Sequence, residues 1–563
     1  MSSTHWYASL VGGCAASAIL ACGGDSKSRP AGPDLSGAGG AFIADAAPGF
    51  DSGTNIVTPP ISTDGSMPPI KPPIGNSVVI HGMVPNGIEG LFAGAGVGSG
   101  PGPALVYPAP ETMFPPNIAR ILFQWTAPAG NVFHLHFDTG KGTLDVYTDG
   151  VHDTCDKAQT GAKCWESAAD TLMPYLDVAS GGNVDFQIAA LDSSAPATAL
   201  RSPMYSVHVA PHRVGGAIYY WSTTVQGVRR GTLDGRDAAD YLTPVVAKGQ
   251  CVACHTLSRS GKRLSIALPG DLLGLVDVVE TVPPVTFGPS SQGFPGENIA
   301  ASWATFNPDE SKIVVAGQGI LSVRDSRTAQ VAGPAIVLPA DVTGSMPDWA
   351  PDGKHLVFAA STGATIDRVA RHLQGSSIAW LSVDGTTFSG FDIIAPSKGV
   401  VSTACVGKES YANPMFSPDS QWLAFSRGDC ESEADASSEI LLSAAAPSAM
   451  QYALIRANTR VGDKTLSRLQ NGMPTWAPSH DPDIGWIAFT SARDYGLVLA
   501  QGSKIGAGLH QLWIAAIDFN QVGKGDASYP AFRLPAQDLT ENNHRPFWTV
   551  DVLPPDWVPP IVR

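Results

Sequence analysis

The sequence predicts an all-β protein in which an N-terminal β-sandwich is followed by a six-bladed β-propeller. Two patterns predict this fold. Short segments that alternate apolar and polar residues, as half-buried strands do, run through residues 118–209. After residue 212, a short motif with an aromatic residue and a tight turn recurs along the chain. The 60 glycines and 46 prolines among 563 residues suit a fold of many strands and turns.

The N-terminal β-sandwich is expected over residues 76–211, and it is similar in size to fibronectin type III or immunoglobulin-like modules. The alternation predicts strands at Ile118–Trp125, Asn131–Phe137, Thr143–Tyr147, Val184–Ala190 and Tyr205–Val209. On the second of these strands, His134 and His136 share the outer face as a possible metal-binding pair. No third ligand is evident in the sequence, so a solvated strand face is the simpler interpretation.

The recurring motif has an anchor residue, usually aromatic, then a tight turn and an apolar strand. The anchors are Leu257, Phe306, Trp349, Phe416, Trp476 and Trp548. Such a unit buries its faces only against neighbouring units, so six copies predict six four-stranded blades. Residues 217–222 and 228–233 precede the first copy, and we expect them to complete the sixth blade and close the ring.

The motif resembles the WD40-like repeat of TolB-type β-propellers, whose unit reads P-x-W/F-S-P-D-G-K before an apolar strand. Pro347–Lys354 and Pro414–Gln421 carry the resemblance most clearly. It covers the chain from about residue 215 to the end, and the propeller is placed at residues 212–563. The resemblance implies a β-propeller, a fold that in TolB-type proteins binds protein partners.

Cys251-Val252-Ala253-Cys254-His255 matches the C-x-x-C-H pattern for attachment of c-type haem. The two thiols add to the haem vinyl groups, and His255 is placed as the proximal ligand of the iron. The pattern predicts one covalent haem c. The alternatives are a redox or structural disulfide beside an uninvolved histidine, and part of a zinc site. Zinc would need a fourth ligand, and no second C-x-x-C or H-x-x-x-H supplies it.

The haem motif lies in register with the first repeat, which places the haem on a propeller blade near the mouth of the central channel. The positions equivalent to Cys254 in the other copies are Trp303, Met346, Asn413, Met473 and Arg545. Three residues at or beside these positions have atoms that can ligate iron: His544, which is the first choice for the sixth ligand, Met346 and Met473. An open iron site, or simple packing of the methionines, is the alternative.

The N-terminus predicts export and lipid anchoring. Residues 8–21 form an apolar run that suits a signal sequence and is too short to span a bilayer. Ile19–Gly24 resembles a bacterial lipobox, so residues 1–22 are predicted to be a lipoprotein signal and Cys22 the lipidated residue. An ordinary secretory signal is the alternative. Residues 23–75, rich in Gly, Pro and Ser, are predicted to be a disordered tether.

Four of the eight cysteines are left after the signal, the lipid site and the haem motif. We expect two disulfides, Cys155–Cys164 and Cys405–Cys430, because an oxidising compartment permits them. Buried free thiols are the alternative. The expected location is the cell envelope, periplasmic or associated with the outer membrane, with the lipid anchor as the only membrane attachment.

The net charge of −15 argues against a nucleic-acid partner, because phosphate binding requires a basic face. The sequence contains no G-x-S-x-G, H-E-x-x-H or Walker A motif. The haem motif predicts the function, which is electron transfer or redox sensing with redox or envelope protein partners. A TolB-like protein-binding scaffold without a redox role, and a peroxidase-like haem enzyme, are the alternatives.

Overall fold

The computed structural model describes residues 74–155, 161–233, 237–247, 252–268, 272–279, 286–287, 303–317, 319–362, 373, 375–397, 409–429, 437–459, 469–479, 481–498 and 509–553. Strands dominate these residues, which confirms the all-β prediction. The helices described are short: α1 (Ile88–Gly94), α2 (Ala169–Val178), α3 (Ile455–Asn458) and a 3-10 turn (Phe519–Gln521). Within these ranges, no helix combines the length and the apolar character that crossing a membrane requires.

The N-terminal region forms two sheets among the described residues. Their strands are β1 (Ser77–His81), β2 (Gly96–Val97), β3 (Ala104–Tyr107), β4 (Met113–Phe114), β5 (Leu122–Thr126), β6 (Val132–Asp138), β7 (Thr143–Thr148), β8 (Ala162–Glu166), β9 (Asn183–Leu191), β10 (Thr198–Arg201) and β11 (Tyr205–Val209). The larger sheet has the order β1-β7-β6-β9-β10-β2, with β11 beside β9 and β4 beside β11. The smaller sheet is β3-β5-β8.

The two N-terminal sheets share an aromatic core. The ring of Phe123 on β5 lies 5.1 Å from that of Phe137 on β6 and 5.4 Å from that of Phe186 on β9. These side chains are almost completely buried. Alternation of buried and exposed residues along β6 and β9 therefore turns one face of the larger sheet toward the smaller one.

The structure changes the N-terminal prediction in two places. The strand expected at Ile118–Trp125 begins only at Leu122, because the Ala119 N–H donates to the Leu233 carbonyl at 3.1 Å, outside the N-terminal sheets. Strands β1 to β4, β8 and β10 and helices α1 and α2 were not predicted from the sequence. None has a long periodic pattern, and α2 carries a proline within its ten residues.

The second region contains six further sheets among the described residues. The first holds β12 (Ala217–Ser222), β13 (Gly227–Gly231), β14 (Ala239–Leu242) and the last strand, β34 (Asn543–Thr549); the second holds β15 (Ala253–Leu257), β16 (Arg263–Leu268), β17 (Leu272–Asp277) and β18 (Thr286–Phe287); the third holds β19 (Trp303–Phe306), β20 (Lys312–Gly317) and β21 (Ile320–Asp325). The fourth holds β22 (Val342–Trp349), β23 (His355–Thr362), β24 (Ser377–Asp384) and β25 (Thr387–Ala395); the fifth holds β26 (Ser410–Phe416), β27 (Trp422–Gly428), β28 (Glu439–Ala444) and β29 (Gln451–Ala453); the sixth holds β30 (Gly472–Trp476), β31 (Ile484–Ser491), β32 (Gln511–Asp518) and β33 (Phe532–Arg533).

One strand of each of these sheets faces its counterparts in the neighbouring sheets. These inner strands are β15, β19, β22, β26, β30 and β34, and each contacts the next in this order. Strand β34 also contacts β15, so the contacts form a closed cycle. In addition, β34 pairs antiparallel with β12. The C-terminal strand thus completes the sheet that begins directly after the N-terminal region.

The recurring turn motif follows an inner strand and leads to the next strand of its sheet, as the fourth and fifth sheets show. In the fourth sheet, the Lys354 N–H donates to the Asp352 carboxylate at 2.9 Å, and Gly353 has φ 77°. In the fifth sheet, the Gln421 N–H donates to the Asp419 carboxylate at 3.0 Å, and Ser420 has φ 62°. The aspartate fixes the turn through its own side chain, which explains the Pro-Asp-Gly and Pro-Asp-Ser sequences.

The N-terminal region packs directly on the sixth sheet. The Tyr107 hydroxyl accepts the Arg533 N–H at 3.1 Å. The Gln124 amide donates to the Tyr495 carbonyl at 3.0 Å and accepts the Leu497 N–H at 2.7 Å. All three contacts join residues more than 350 positions apart in the chain. Backbone groups of Tyr495, Leu497 and Arg533 therefore find hydrogen-bond partners in the N-terminal region.

Candidate functional site

Five of the six inner strands carry the same β-bulge. In each, two residues lie opposite a single residue of the neighbouring strand. The bulged pairs are Cys254-His255, Met346-Pro347, Asn413-Pro414, Met473-Pro474 and Arg545-Pro546. These are the positions that the repeat alignment treats as equivalent. A proline fits the second position in four of them, because a bulged residue does not need to donate to the ladder.

The first residue of each bulged pair has a left-handed backbone. The φ angles are 37° at Cys254, 53° at Met346, 51° at Asn413, 53° at Met473 and 48° at Arg545. Asparagine and glycine tolerate this conformation, whereas Cys, Met and Arg adopt it at a cost of about 1–3 kcal/mol each. Folding alone would favour Gly or Asn at every position. The varied side chains therefore indicate a requirement for the side chains themselves.

The sixth inner strand, β19, differs from the other five. Its pairing with β20 runs without a bulge from Trp303 to Phe306. Its contribution is the Trp303 ring, over which the Arg545 guanidinium lies at 4.1 Å. The same guanidinium donates to the Thr256 hydroxyl at 3.0 Å. Arg545 thus links the first, second and third sheets, which are neighbours in the cycle.

The bulged strands enclose a central cavity of about 60 Å³. It is lined by Thr256, Trp303, Ala304, Met346, Pro347, Asp348, Asn413, Pro414, Met415, Met473, Pro474, Arg545, Pro546 and Phe547. This volume has room for about five water molecules. The walls are mainly proline, methionine and aromatic carbon, and Arg545 and Asp348 bring charge to them.

The charge of Asp348 is compensated by Arg259, which follows β15. The Arg259 guanidinium donates to the Asp348 carboxylate at 2.6 Å and to the Phe416 carbonyl at 3.2 Å. The same carboxylate accepts the Phe416 N–H at 2.8 Å. Burial raises the pKa of Asp348, and the Arg259 charge opposes this shift. Asp348 is thus paired within the protein, and Arg545 adds a cationic group to the cavity lining.

His255 lies in the seam between the first and second sheets and is completely buried. Its Nε2–H donates to the Tyr219 carbonyl on β12 at 3.3 Å, and its Nδ1 has no hydrogen-bond partner among the described residues. Burial lowers the pKa of His255 to about 3, and the charge of Arg545 contributes to the decrease. The imidazole is therefore neutral at neutral pH and keeps a bare lone pair on Nδ1.

The structure places His544 beside His510 and Trp221. The His544 ring lies 4.5 Å from that of His510, which precedes β32 of the sixth sheet, and 6.0 Å from that of Trp221. His255 lies on β15 of the second sheet, which borders the first sheet on the side away from the sixth sheet. Burial lowers the pKa of His544 well below its usual value, and His510 adds to this effect. His544 thus belongs to the seam between the sixth and first sheets.

Met346 and Met473 both line the central cavity. The Met346 sulfur accepts the Asn413 N–H at 3.4 Å, so part of its role is to link neighbouring bulges. Of the three candidate distal ligands, the two methionines therefore line the same cavity. His544 does not line it, although its neighbour Arg545 does.

The predicted cysteine sites are described in part. Cys155 and Cys164 are joined by a disulfide between β8 and the preceding loop. Cys254 is half-buried at the start of its bulge. Cys251, Cys22, Cys405 and Cys430 lie outside the described residues, as do the predicted signal and tether up to residue 73.

His255 fits the role of an iron ligand, whereas the central cavity does not include the haem motif. Metal-ligating histidines commonly donate one ring N–H to a backbone carbonyl and bind the ion through the other nitrogen, as His255 is arranged to do. Neither Cys254 nor His255 lines the central cavity. A haem held by Cys251, Cys254 and His255 would therefore lie outside this cavity.

Sequence reasoning missed two features of the site. It did not identify the bulges, although a proline two residues before four of the six anchors is their signal, because proline in a central strand marks a bulge. It also did not identify Arg545 as the residue that joins Trp303 and Thr256. That contact depends on three sheets meeting, and no local pattern encodes it.

No protein-family model and no curated protein matches the chain. Solved structures of similar fold include TolB from Acinetobacter baumannii (12% identity, 65% of this chain and 80% of that chain, TM-score 0.34). They also include the Cps50 (Swd1) β-propeller domain of Myceliophteria thermophila (12% identity, 62% and 93%, TM-score 0.30). A chain of a nidogen/laminin complex is another (9% identity, 60% and 99%, TM-score 0.36). The neighbours in structure are thus TolB and other β-propeller proteins.

Proposed function

We propose that this chain is an exported binding scaffold of the bacterial envelope, built as a six-bladed TolB-like propeller with an N-terminal sandwich. The six sheets with cyclic contacts are its blades, and the pairing of β34 with β12 closes the ring. The two N-terminal sheets with a common core are the sandwich. On this proposal, a segment of a protein partner enters the mouth of the central cavity.

One observation carries this proposal: four of the bulges present Met346, Asn413, Met473 and Arg545 to one cavity. A purely structural device repeated in each blade would use the same residue each time. Instead, Met346 and Met473 offer adaptable apolar contacts, and Arg545 offers a cation beside them. An asymmetric set of this kind suits one bound orientation of a segment that combines an apolar side chain with a carboxylate.

The location rests on the sequence of the first 75 residues. A signal at residues 1–22, lipidation at Cys22 and a tether at residues 23–75 place the folded region at the envelope, in the periplasm or at the outer membrane. The lipid would be the only membrane attachment. A tether of this composition lets the propeller reach partners several nanometres from the anchor.

A cross-linking experiment tests the scaffold. A photo-reactive amino acid at Met473, on the cavity, is expected to yield discrete covalent adducts with an envelope protein in growing cells. The same group at Met450, which is 70% exposed on the fifth sheet, is the matched control and should not yield them. Arg545→Gln should lower the yield at position 473. Equal adducts at both positions would contradict the proposal.

Haem c attachment is the second candidate, and the arrangement of His255 favours it. A neutral buried imidazole with one carbonyl-bound nitrogen and one bare nitrogen suits axial ligation. Haem would supply a one-electron couple for electron transfer or redox sensing, or an open site for peroxidase-like chemistry. The residues of this chain would hold it through Cys251, Cys254 and His255.

Mass spectrometry of protein co-expressed with a c-type maturation system tests this candidate. One added haem mass in the wild type, lost in Cys251→Ala, would establish attachment. An unchanged mass in the wild type would leave the scaffold as the sole function. Lys262→Gln is a suitable control, because it changes an exposed residue near the motif without removing a thiol.

A further inference from the structure

A second group of metal-ligating side chains lies far from the central cavity, on the outer face of the larger N-terminal sheet. The pairing of β6 with β7 sets His136 directly opposite Asp145, and His134 opposite Tyr147. Side chains alternate along β6, so the two histidines leave the core on the same face. Strand pairing therefore supplies the third ligand that the sequence alone did not reveal.

The three side chains already converge on one point. One Asp145 oxygen, Oδ1, lies 2.7 Å from His134 Nε2 and 2.7 Å from His136 Nδ1. The three potential ligand atoms all lie within 4.8 Å of one another. In a tetrahedral zinc site with bonds of about 2.0 Å, ligand atoms lie about 3.3 Å apart. Rotation of the side chains that lengthens each carboxylate–imidazole distance by about 0.6 Å would therefore bring the Asp145 oxygen to ligand spacing from both nitrogens.

Neighbouring aromatic rings restrain His134. The Tyr147 ring stacks on it at 4.4 Å with an interplanar angle of 10°, and the Phe92 ring of helix α1 meets it edge-on at 5.5 Å. The side chain of His136 is 40% exposed, so solvent reaches the cluster from one side. A restrained ligand with an open side is typical of three-ligand metal sites, which keep a position for water or another group.

We propose that His134, His136 and Asp145 bind one divalent transition-metal ion of the zinc class, with a fourth coordination position open to solvent. Two imidazoles and one carboxylate suit such ions, whereas Mg²⁺ and Ca²⁺ prefer sites made of oxygen ligands. The site is independent of the central cavity and of haem attachment. The open position makes it accessible to an external ligand such as a partner carboxylate or imidazole.

Calorimetric titration with Zn²⁺ tests the site in the full chain, purified without a histidine tag and stripped of metal. Asp145→Asn and His136→Gln are expected to weaken binding at one site at least about tenfold. The matched control is His208→Gln. His208 lies on β11 of the same sheet with its Nε2 2.8 Å from Glu111, as an isolated histidine–carboxylate pair, and its loss should leave Zn²⁺ affinity unchanged.

Thermal unfolding supplies the second measurement. Zn²⁺ should raise the midpoint of the wild type and of His208→Gln, should not raise that of Asp145→Asn, and Mg²⁺ should raise none. The melting curve of each metal-free variant shows directly whether it folds. The difference in Zn²⁺ response between the variants decides the question, because Cys254 and His255 offer Zn²⁺ other ligands in every variant. Equal Zn²⁺ binding by the wild type and Asp145→Asn would overturn the proposal.

Discussion

The molecule brings functional side chains together in two different ways. On the N-terminal sheet, His134, His136 and Asp145 meet within twelve residues of chain, because one hairpin register sets them side by side. In the second region, the cavity collects residues from Thr256 to Phe547, and it exists only when the whole cycle of sheets is closed. Local pairing makes the first cluster, and global closure makes the second.

The difference also appears in the energetics. The hairpin cluster is half-exposed and can change with little effect on the fold. The cavity residues are part of the seams between sheets, where backbone carbonyls, bulges and charges depend on one another. Substitutions in the two regions should therefore differ in their effect on stability, and the following predictions are ordered by the size of that effect.

The largest effect is expected from Trp548→Ala, which attacks ring closure. Trp548 on β34 is almost completely buried, and its indole N–H donates to the Gly215 carbonyl at 3.1 Å. The free energy of unfolding should fall by about 3–5 kcal/mol in urea titrations. Trp422→Ala is the matched control, since that ring is only half-buried against Phe519. An equal loss in both variants would show that closure is not the critical element.

A loss of about 3 kcal/mol in the free energy of unfolding is expected from Asp348→Asn. The substitution removes the carboxylate charge that pairs with Arg259 and leaves the Arg259 guanidinium without this counter-ion. Asp237→Asn, which breaks the exposed pair with Arg120, should cost less than about 1 kcal/mol. Chemical denaturation of both variants measures the difference. Similar small losses of unfolding free energy in both variants would mean that solvent screens the Arg259–Asp348 pair as well as it screens a surface ion pair.

Acidification should weaken the seam between the sixth and first sheets. Burial lowers the pKa of His510 to about 4, although a hydrogen bond with Asn542 opposes the shift. The unfolded chain takes up this proton near pH 6.5, so it binds more protons than the folded chain below that pH. The free energy of unfolding should therefore fall as the pH decreases from about 6.5 to about 4, by up to about 1.4 kcal/mol per unit.

The His510→Gln variant isolates this contribution. Urea unfolding at pH 7, 6 and 5 should show a shallower decline for the variant than for the wild type. Identical slopes would assign the acid sensitivity to other groups.

The smallest effect is expected at the hairpin cluster. Asp145→Asn should change the free energy of unfolding of the metal-free protein by less than about 1 kcal/mol, because the carboxylate and both imidazoles are partly solvated. Thermal denaturation in the presence of a chelator measures this. A loss as large as that of Asp348→Asn would mean that the cluster serves the fold and not a ligand.

Much of the second region could be predicted from its residues. The anchors and turns predicted a propeller-type repeat, because an aromatic residue and a Pro-Asp-Gly turn are local signals with local causes. The alignment of Cys254 with Met346, Asn413, Met473 and Arg545 also corresponds to a shared backbone conformation. Trp303 departs from it, since its strand pairs without a bulge.

The choice of His544 as the first candidate for the distal ligand shows where such reasoning ends. In the sequence, His544 directly precedes Arg545, the residue that aligns with Cys254 in the last copy of the repeat. The bulge determines which side of the strand each residue faces. It turns Arg545 toward the cavity, whereas His544 packs against His510. A shift of one position in a strand reverses the face of a side chain, and a bulge makes such a shift.

The sequence by itself determined the all-β class, the repeated turn and the chemical character of each candidate residue, because these depend on periodicity and on side chains within one turn or strand. The tertiary structure alone decided which of these residues meet. Asp145 joins His134 and His136, Arg545 reaches Trp303 and Thr256, and His255 is buried against Tyr219. Contacts of this kind depend on strand register and on the packing of one sheet on another, and both are set by the cooperative burial of many residues.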